Sequence, residues 1–282
     1  MNKLFYYFGI FLKYFSLFKN INSVNGVIVS CTHSTKKENF KNLEEHILKL
    51  KKEFDIITPD YFFEYLSGKK NLKKKSLLMT FDDGYKSNYS FAMEVLSKYK
   101  IKAIFFIPTK IFDLKSDSDK IKFSYKNINF QSDYKNINYN YEKDFMNLKE
   151  IENLSKSGHL IAPHTHSHIK LKKIKDFEEV KSELIEPLKF FIKKFKIKYK
   201  VLAFPVGSNG EVSKYSYEMI KKYYDYCFTM LSGINMRESD KFILNRFNFP
   251  DNTNYNYLRL NLDGVYDPYF FIKKLLLKFK IS

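Results

Sequence analysis

Cysteine, arginine and long apolar runs are all scarce in this 282-residue chain, and each scarcity excludes something. Two cysteines, Cys31 and Cys227, are too few for a disulfide framework, and neither has the spacing of a metal knuckle or a redox pair. They read as ordinary thiols in a reducing compartment, with a lone disulfide as the alternative. Arginine occurs only at Arg237, Arg246 and Arg259, so nearly all of the formal charge of +18 comes from lysine spread along the chain. Phosphate-reading surfaces draw on arginine's planar fork, and no nucleic-acid-binding motif is present. Nucleic acid is therefore not an expected partner, and the lysines read as a solvated face.

No stretch reads as a membrane span. The longest uncharged run near the start, Leu4 to Leu12, falls well short of the roughly 20 residues that cross a bilayer. Its basic start and apolar centre suit a signal peptide, yet no small-x-small cleavage site follows before Ser23. Residues 1–24 read instead as an aromatic amphipathic segment, and residues 263–282, with FFIKKLLLKFK from Phe270 to Lys280, as a basic amphipathic helix. Such ends either grip an anionic membrane surface peripherally or pack onto the domain. The expected location is the cytoplasm or the inner membrane surface, with an uncleaved signal anchor as the alternative.

With 44% hydrophobic residues, the chain can bury a substantial core. Short apolar runs alternate with helical patterns. Gly26 to Cys31, Ser76 to Phe81, Ala103 to Ile107, Leu160 to Ala162 and Val201 to Phe204 read as strands, with later candidates at Tyr226 to Thr229 and Phe242 to Phe247. Helices are expected over Phe40 to Phe54, Ser87 to Tyr99, Asn147 to Ser157 and Asp176 to Phe195. This alternation argues for an α/β fold with a parallel sheet, and with so many units for a barrel whose chemistry lies at the C-terminal strand ends. Residues 110–145, rich in Asn, Asp, Ser, Lys and Tyr without a clear period, break the pattern and read as an irregular insertion over the active-site face.

Two clusters could carry chemistry. Thr80-Phe81-Asp82-Asp83-Gly84 follows a strand directly, and adjacent strand residues point to opposite sides. Both carboxylates can serve one site only if the chain turns at once, which Gly84 permits. Paired Asp before Gly also occurs in plain turns. The second cluster, Pro163-His164-Thr165-His166-Ser167-His168, also follows a strand. His164 and His168, four apart, can approach a common cation. One carboxylate plus two imidazoles leaves positions open for water, as a catalytic metal site requires.

These motifs resemble those of the polysaccharide deacetylases, carbohydrate esterase family four, whose catalytic unit is the NodB-homology domain. T-F-D-D-G is matched at Thr80 to Gly84, and H-[ST]-x-x-H at His164 to His168. The resemblance runs from about Gly26 to about Pro250 and implies a distorted (β/α) barrel of about seven parallel strands, here within residues 25–262. It implies that Asp83, His164 and His168 bind a divalent metal ion, zinc by family habit, while Asp82 is the general base. The metal acidifies water and polarises the acetyl carbonyl, and the backbone N–H of Tyr85 helps to hold the oxyanion. The substrate implied is an N-acetylated glycan.

The chain departs from the family's common pattern in two places. No histidine follows His168 to serve as the general acid. The branch resembling poly-N-acetylglucosamine deacetylases takes that acid from just after the first strand, where His33 stands; the plain alternative is a loop histidine capping a strand end. In the third motif, Leu202 to Gly207, Phe204 and Pro205 match the groove wall, but Ala203 replaces the arginine that orients the base. Arg246, at a late strand end, could reach Asp82 instead, or form a surface ion pair. His159 and His166 read as supporting or structural, and Ser208 and Asn209 as neighbours of the sugar. The reading is a metal-dependent deacetylase of an amino sugar in a surface polysaccharide, lipopolysaccharide or lipid-linked glycan. The alternatives are an amide hydrolase on a non-sugar substrate and an inactive glycan-binding protein of the same fold.

Overall fold

The computed structural model describes residues 26–130, 142–208, 211–265 and 267–281. The amphipathic segment expected over residues 1–24, the middle of the 110–145 insertion, and Asn209 lie outside the described residues.

Strand β1 (Val27–Thr32) lies between β3 (Ser76–Phe81) and β8 (Phe247–Asn248), and β4 (Ile104–Ile107) joins β3 to β5 (Leu160–Pro163). Short β2 (Asp55–Ile56) pairs with the start of β3, and β6 (Val201–Ala203) with β7 (Tyr226–Phe228). Every strand pair is parallel. The parallel α/β architecture is thus as expected, but the hydrogen-bonded ladder does not close into one ring among the described residues. Across the gap between β5 and β6, the His164 ring donates to the Ala203 carbonyl at 2.8 Å.

Side-chain alternation shows what the sheet encloses. Val27 and Val29, Leu78, Ile104 and Phe106, Val201 and Ala203 share one inner cluster. Their neighbours Ile28, Leu77, Met79, Phe105 and Ile107 face an outer cluster with the helices, as the period of two requires. Both faces are covered, so β1, β3 and β4 are buried along their whole lengths. Helix α1 (Phe40–Glu53) packs outward through Leu43, Ile47 and Leu50. Helix α2 (Pro59–Leu66), started by Thr58 accepting from the Tyr61 N–H and by Pro59, plugs the N-terminal end of the barrel. Its Phe62 stacks on Phe228, and its Phe63 meets Tyr199 and Tyr226. The opposite, C-terminal end stays open for the site.

The remaining helices are α3 (Lys86–Phe91), α4 (Asp117–Phe123), α5 (Leu148–Lys156), α6 (Phe177–Val180), α7 (Glu186–Phe195), α8 (Lys214–Tyr223), α9 (Tyr255–Leu262) and α10 (Asp267–Ile281). Helix α4 lies inside the stretch expected to be irregular. A capping box between Ser116 and Asp119 starts it, a local signal that composition alone conceals. The single helix expected from Asp176 to Phe195 contains a π turn at Lys181–Ile185. Pro187 lacks an N–H, so the Glu183 carbonyl loses its helical donor, and the His166 N–H takes it at 3.0 Å. None of the described helices is long and apolar enough to cross a membrane.

Phe62 is fully buried among aromatic rings far along the chain from the histidine cluster. Phe62→Ala should lower the unfolding free energy by about 3–5 kcal/mol, read as a fall in the denaturant midpoint at unchanged slope.

Candidate active site

The open end of the barrel holds a cleft of about 490 Å³, floored by Asp82, Asp83, His164 and His168 and walled by His33, Tyr85 and Phe204. The chain enters it by turning abruptly at strand ends. After β3, Asp83 and Gly84 both adopt φ of 72°, and Thr165 and His168 take 63° and 57°. Left-handed backbone at non-glycine residues costs about 1–2 kcal/mol each, and here it turns Asp83, His164 and His168 toward one point.

That point is defined by acceptors. The His164 Nδ1 lies 2.8 Å from the Ala203 carbonyl, and the His168 Nδ1 2.8 Å from the Asn127 carbonyl. A carbonyl can only accept, so each Nδ1 carries the proton and each Nε2 presents a lone pair. Burial pushes the His164 pKa down to about 4, partly offset by Asp82, and pushes His168 well below the usual value. Both rings are neutral at pH 7, the form that binds metals. Their Nε2 atoms face Asp83 Oδ1 at 3.7 and 3.4 Å. Without ring protons these contacts are not ion pairs, and both Asp83 oxygens are buried without a hydrogen-bond partner among the described residues. Burial and the neighbouring Asp82 charge raise the Asp83 pKa. Two imidazole lone pairs and a carboxylate therefore converge with no donor between them. The set fits a divalent cation.

Asp82 has the opposite environment. Arg246, fully buried, grips it with a two-pronged contact: Nη1 lies 2.7 Å from Oδ1 and Nη2 2.8 Å from Oδ2. The guanidinium also donates to Thr80 Oγ1 and the Thr229 carbonyl, and sits over the Phe106 ring. Burial alone would raise the Asp82 pKa. The Arg246 charge, with a smaller effect from His164, overrides it and holds the carboxyl well below the usual range. Cys31, buried beside it, donates its thiol to Oδ2 at 3.3 Å.

His33 stands after β1, within 4.8 Å of an Asp82 carboxylate oxygen. The protein around it lowers its pKa, opposed by Asp82, but its ring is exposed to the cleft, and that contact with solvent weakens the pull. Tyr85 pairs with Phe145 in an isolated antiparallel bridge. Its neighbours make the bonds, Lys86 N–H to Asp144 and Met146 N–H to Gly84, so the Tyr85 N–H points away from Phe145.

The other expected residues divide. Phe204 lines the cleft, whereas Pro205 is buried and does not; Val206 and Met230 complete that wall. His159 accepts from the Ala103 N–H, and His166 pairs with Thr109, both away from the cleft. Ser208 is not among the lining residues. Three contributors escaped the sequence reading. Glu183 receives the His166 and Ser167 N–H groups and the Ser167 hydroxyl, fixing the histidine loop. Asn127 orients His168, and its side-chain amide donates to the Ser167 carbonyl. Glu142, at the cleft edge, ties Ser34 and Ser87 together. Both Asn127 and Glu142 belong to the stretch set aside as an insertion. Only Pro187, which frees the Glu183 carbonyl for the histidine loop, left a trace in the sequence.

The sequence model of the polysaccharide deacetylase family matches residues 69–224. The chain is 25% identical over 193 residues to YxkH of Bacillus subtilis (strain 168). The match covers 68% of this chain but 58% of YxkH, so the chain spans less than two thirds of that relative's length. The fold is similar to that of the deacetylase PplD of Streptococcus pyogenes, solved with acetate (TM-score 0.61, 18% identity, 84% of this chain and 97% of PplD). It is equally similar to IcaB of Ammonifex degensii (TM-score 0.62, 18% identity, 86% of this chain and 98% of IcaB).

Two outcomes follow from the contacts. Arg246→Met leaves a buried carboxylate unpaired and should cost about 3–5 kcal/mol of stability, measured by denaturant titration at pH 7. The sign is set by the depressed folded pKa. The Asp82 contribution is present above the unfolded value near 4 and is lost as pH falls through the folded one. Glu183→Ala should weaken divalent-cation binding about 10–100-fold by loosening the loop between His164 and His168, read by isothermal titration calorimetry.

Proposed function

The chain belongs to the polysaccharide deacetylase family, and on that footing we propose that it is a metal-dependent N-deacetylase that hydrolyses the acetamide of an N-acetylated amino sugar in a glycan. The observation that carries this reading is the donorless meeting of Asp83, His164 and His168 beside a carboxylate kept ionised by Arg246.

Asp83, His164 and His168 would hold a divalent cation, zinc on our reading, which would make an adjacent water more acidic and polarise the acetyl carbonyl. The remaining steps use the chain's own groups. Asp82, anionic and aimed by Arg246, takes the proton from the attacking water. The Tyr85 N–H steadies the carbonyl oxygen as negative charge gathers on it. His33 gives a proton to the departing amine, so the C–N bond breaks to free the amine and acetate. Phe204 and Met230 offer one apolar wall, and Ser34, Lys36 and Glu142 one polar rim, a combination suited to a sugar ring. We take the glycan to be a surface polysaccharide, a lipopolysaccharide or a lipid-linked precursor.

The test is acetate release over a panel of acetylated glycans and acetylated non-sugar amides. Release from a glycan that chelation abolishes and zinc restores is the expected result. Release that survives full metal removal sinks the reading, and turnover confined to non-sugar amides transfers the site to another substrate class. Asp82→Asn should abolish turnover with metal still bound, and His164→Ala should lose both. His33→Ala should lower kcat about 10²–10⁴-fold at unchanged metal affinity; full activity would remove His33 from its role.

A further inference from the structure

The last helix turns the usual burial rule inside out. Helix α10 is held to the domain by Leu277 and Ile281, both buried, and by Lys274, whose Nζ donates to Asn245 Oδ1 at 3.1 Å. These lie three or four residues apart, on one face. The opposite face carries Phe271, Ile272, Leu275, Leu276 and Phe279, exposed by 62%, 59%, 50%, 55% and 85%. Five large apolar side chains on a single stripe open to solvent call for a cover, since soluble proteins seldom leave such a patch.

Charge limits what the cover can be. At 100° per residue, Lys273 and Lys280 edge the stripe on one side and Lys278 on the other. Lys278 has Asp240 at 3.9 Å, and Lys273 lies over the Tyr269 ring. A second copy of this face would bring its own lysines to the same borders. Residues 1–25 contain Lys3, Lys13 and Lys19 and no acidic residue, so they too would meet like charge. The complementary surface is apolar in its interior and anionic at its edge. We propose that the outer face of α10 lies in the interface of an anionic lipid bilayer, its apolar stripe among the acyl chains and its lysines at the headgroups. Fifteen residues are too few to span a bilayer, which takes roughly 20. The helix lies along the surface rather than through it.

The proposal goes beyond the catalytic reading and is tested apart from it. The full chain is sedimented with phosphatidylglycerol vesicles and with phosphatidylcholine vesicles. Binding to the anionic vesicles, weakened by salt, is expected, with partitioning about tenfold or more lower for the double variant Leu275→Ser, Phe279→Ser. Its thermal midpoint should match the parent's. The charge-reversed pair Lys273→Glu, Lys280→Glu, which leaves the buried face intact, should lose binding to the anionic vesicles alone. Equal partitioning of parent and both variants overturns the proposal, placing any grip elsewhere, including residues 1–25. So does a parent dimer or an acidic protein complex that the double variant loses while vesicle binding stays absent.

Discussion

Two carboxylates side by side in a buried site cannot both stay ionised unless each finds a positive charge, and the rest of the site is arranged around that requirement. Asp82 finds Arg246, which grips both of its oxygens. Asp83 finds only the unprotonated nitrogens of His164 and His168. Adjacent residues in one motif thus acquire opposite settings, one a carboxylate paired with a cation and the other a carboxylate without a donor among the described residues. The difference comes from what faces them, since the two side chains are chemically identical.

Each histidine is held in its tautomer by a carbonyl of unrelated origin. The Ala203 carbonyl serves His164 at the place where β5 and β6 fail to pair. His168 depends on Asn127, and the loop between the histidines depends on Glu183, whose backbone oxygen is released by Pro187. The left-handed residues at the site are tolerated because these contacts over-determine them.

With Ala203 in place of an arginine in the third motif, Asp82 still has a cation. Arg246 comes from just before β8, on the other side of β1, and its guanidinium reaches Asp82 while lying over the Phe106 and Phe228 rings. Strand β8 begins beside the C-terminal half of β1, with Phe247 level with Ser30, so the start of this strand brings Arg246 to the opening that the ends of the other strands share.

Much of the fold was legible. The buried strands announced themselves as unbroken apolar runs, α1 by the spacing of Leu43, Ile47 and Leu50, and the helix after Asn147 by its cap, because these signals act between near neighbours in the chain. The paired motifs also marked Asp82, Asp83, His164 and His168 as candidates, since residue type and strand-end position are written locally. Only the tertiary structure decided that Arg246 meets Asp82 across 164 residues, that Asn127 and Glu142 leave a featureless stretch to build the cleft, and that the apolar stripe of α10 faces outward. Hydrogen bonds and ion pairs of that kind depend on where the chain's ends of strands are carried in space, and no local pattern of side chains encodes the partner at the far end.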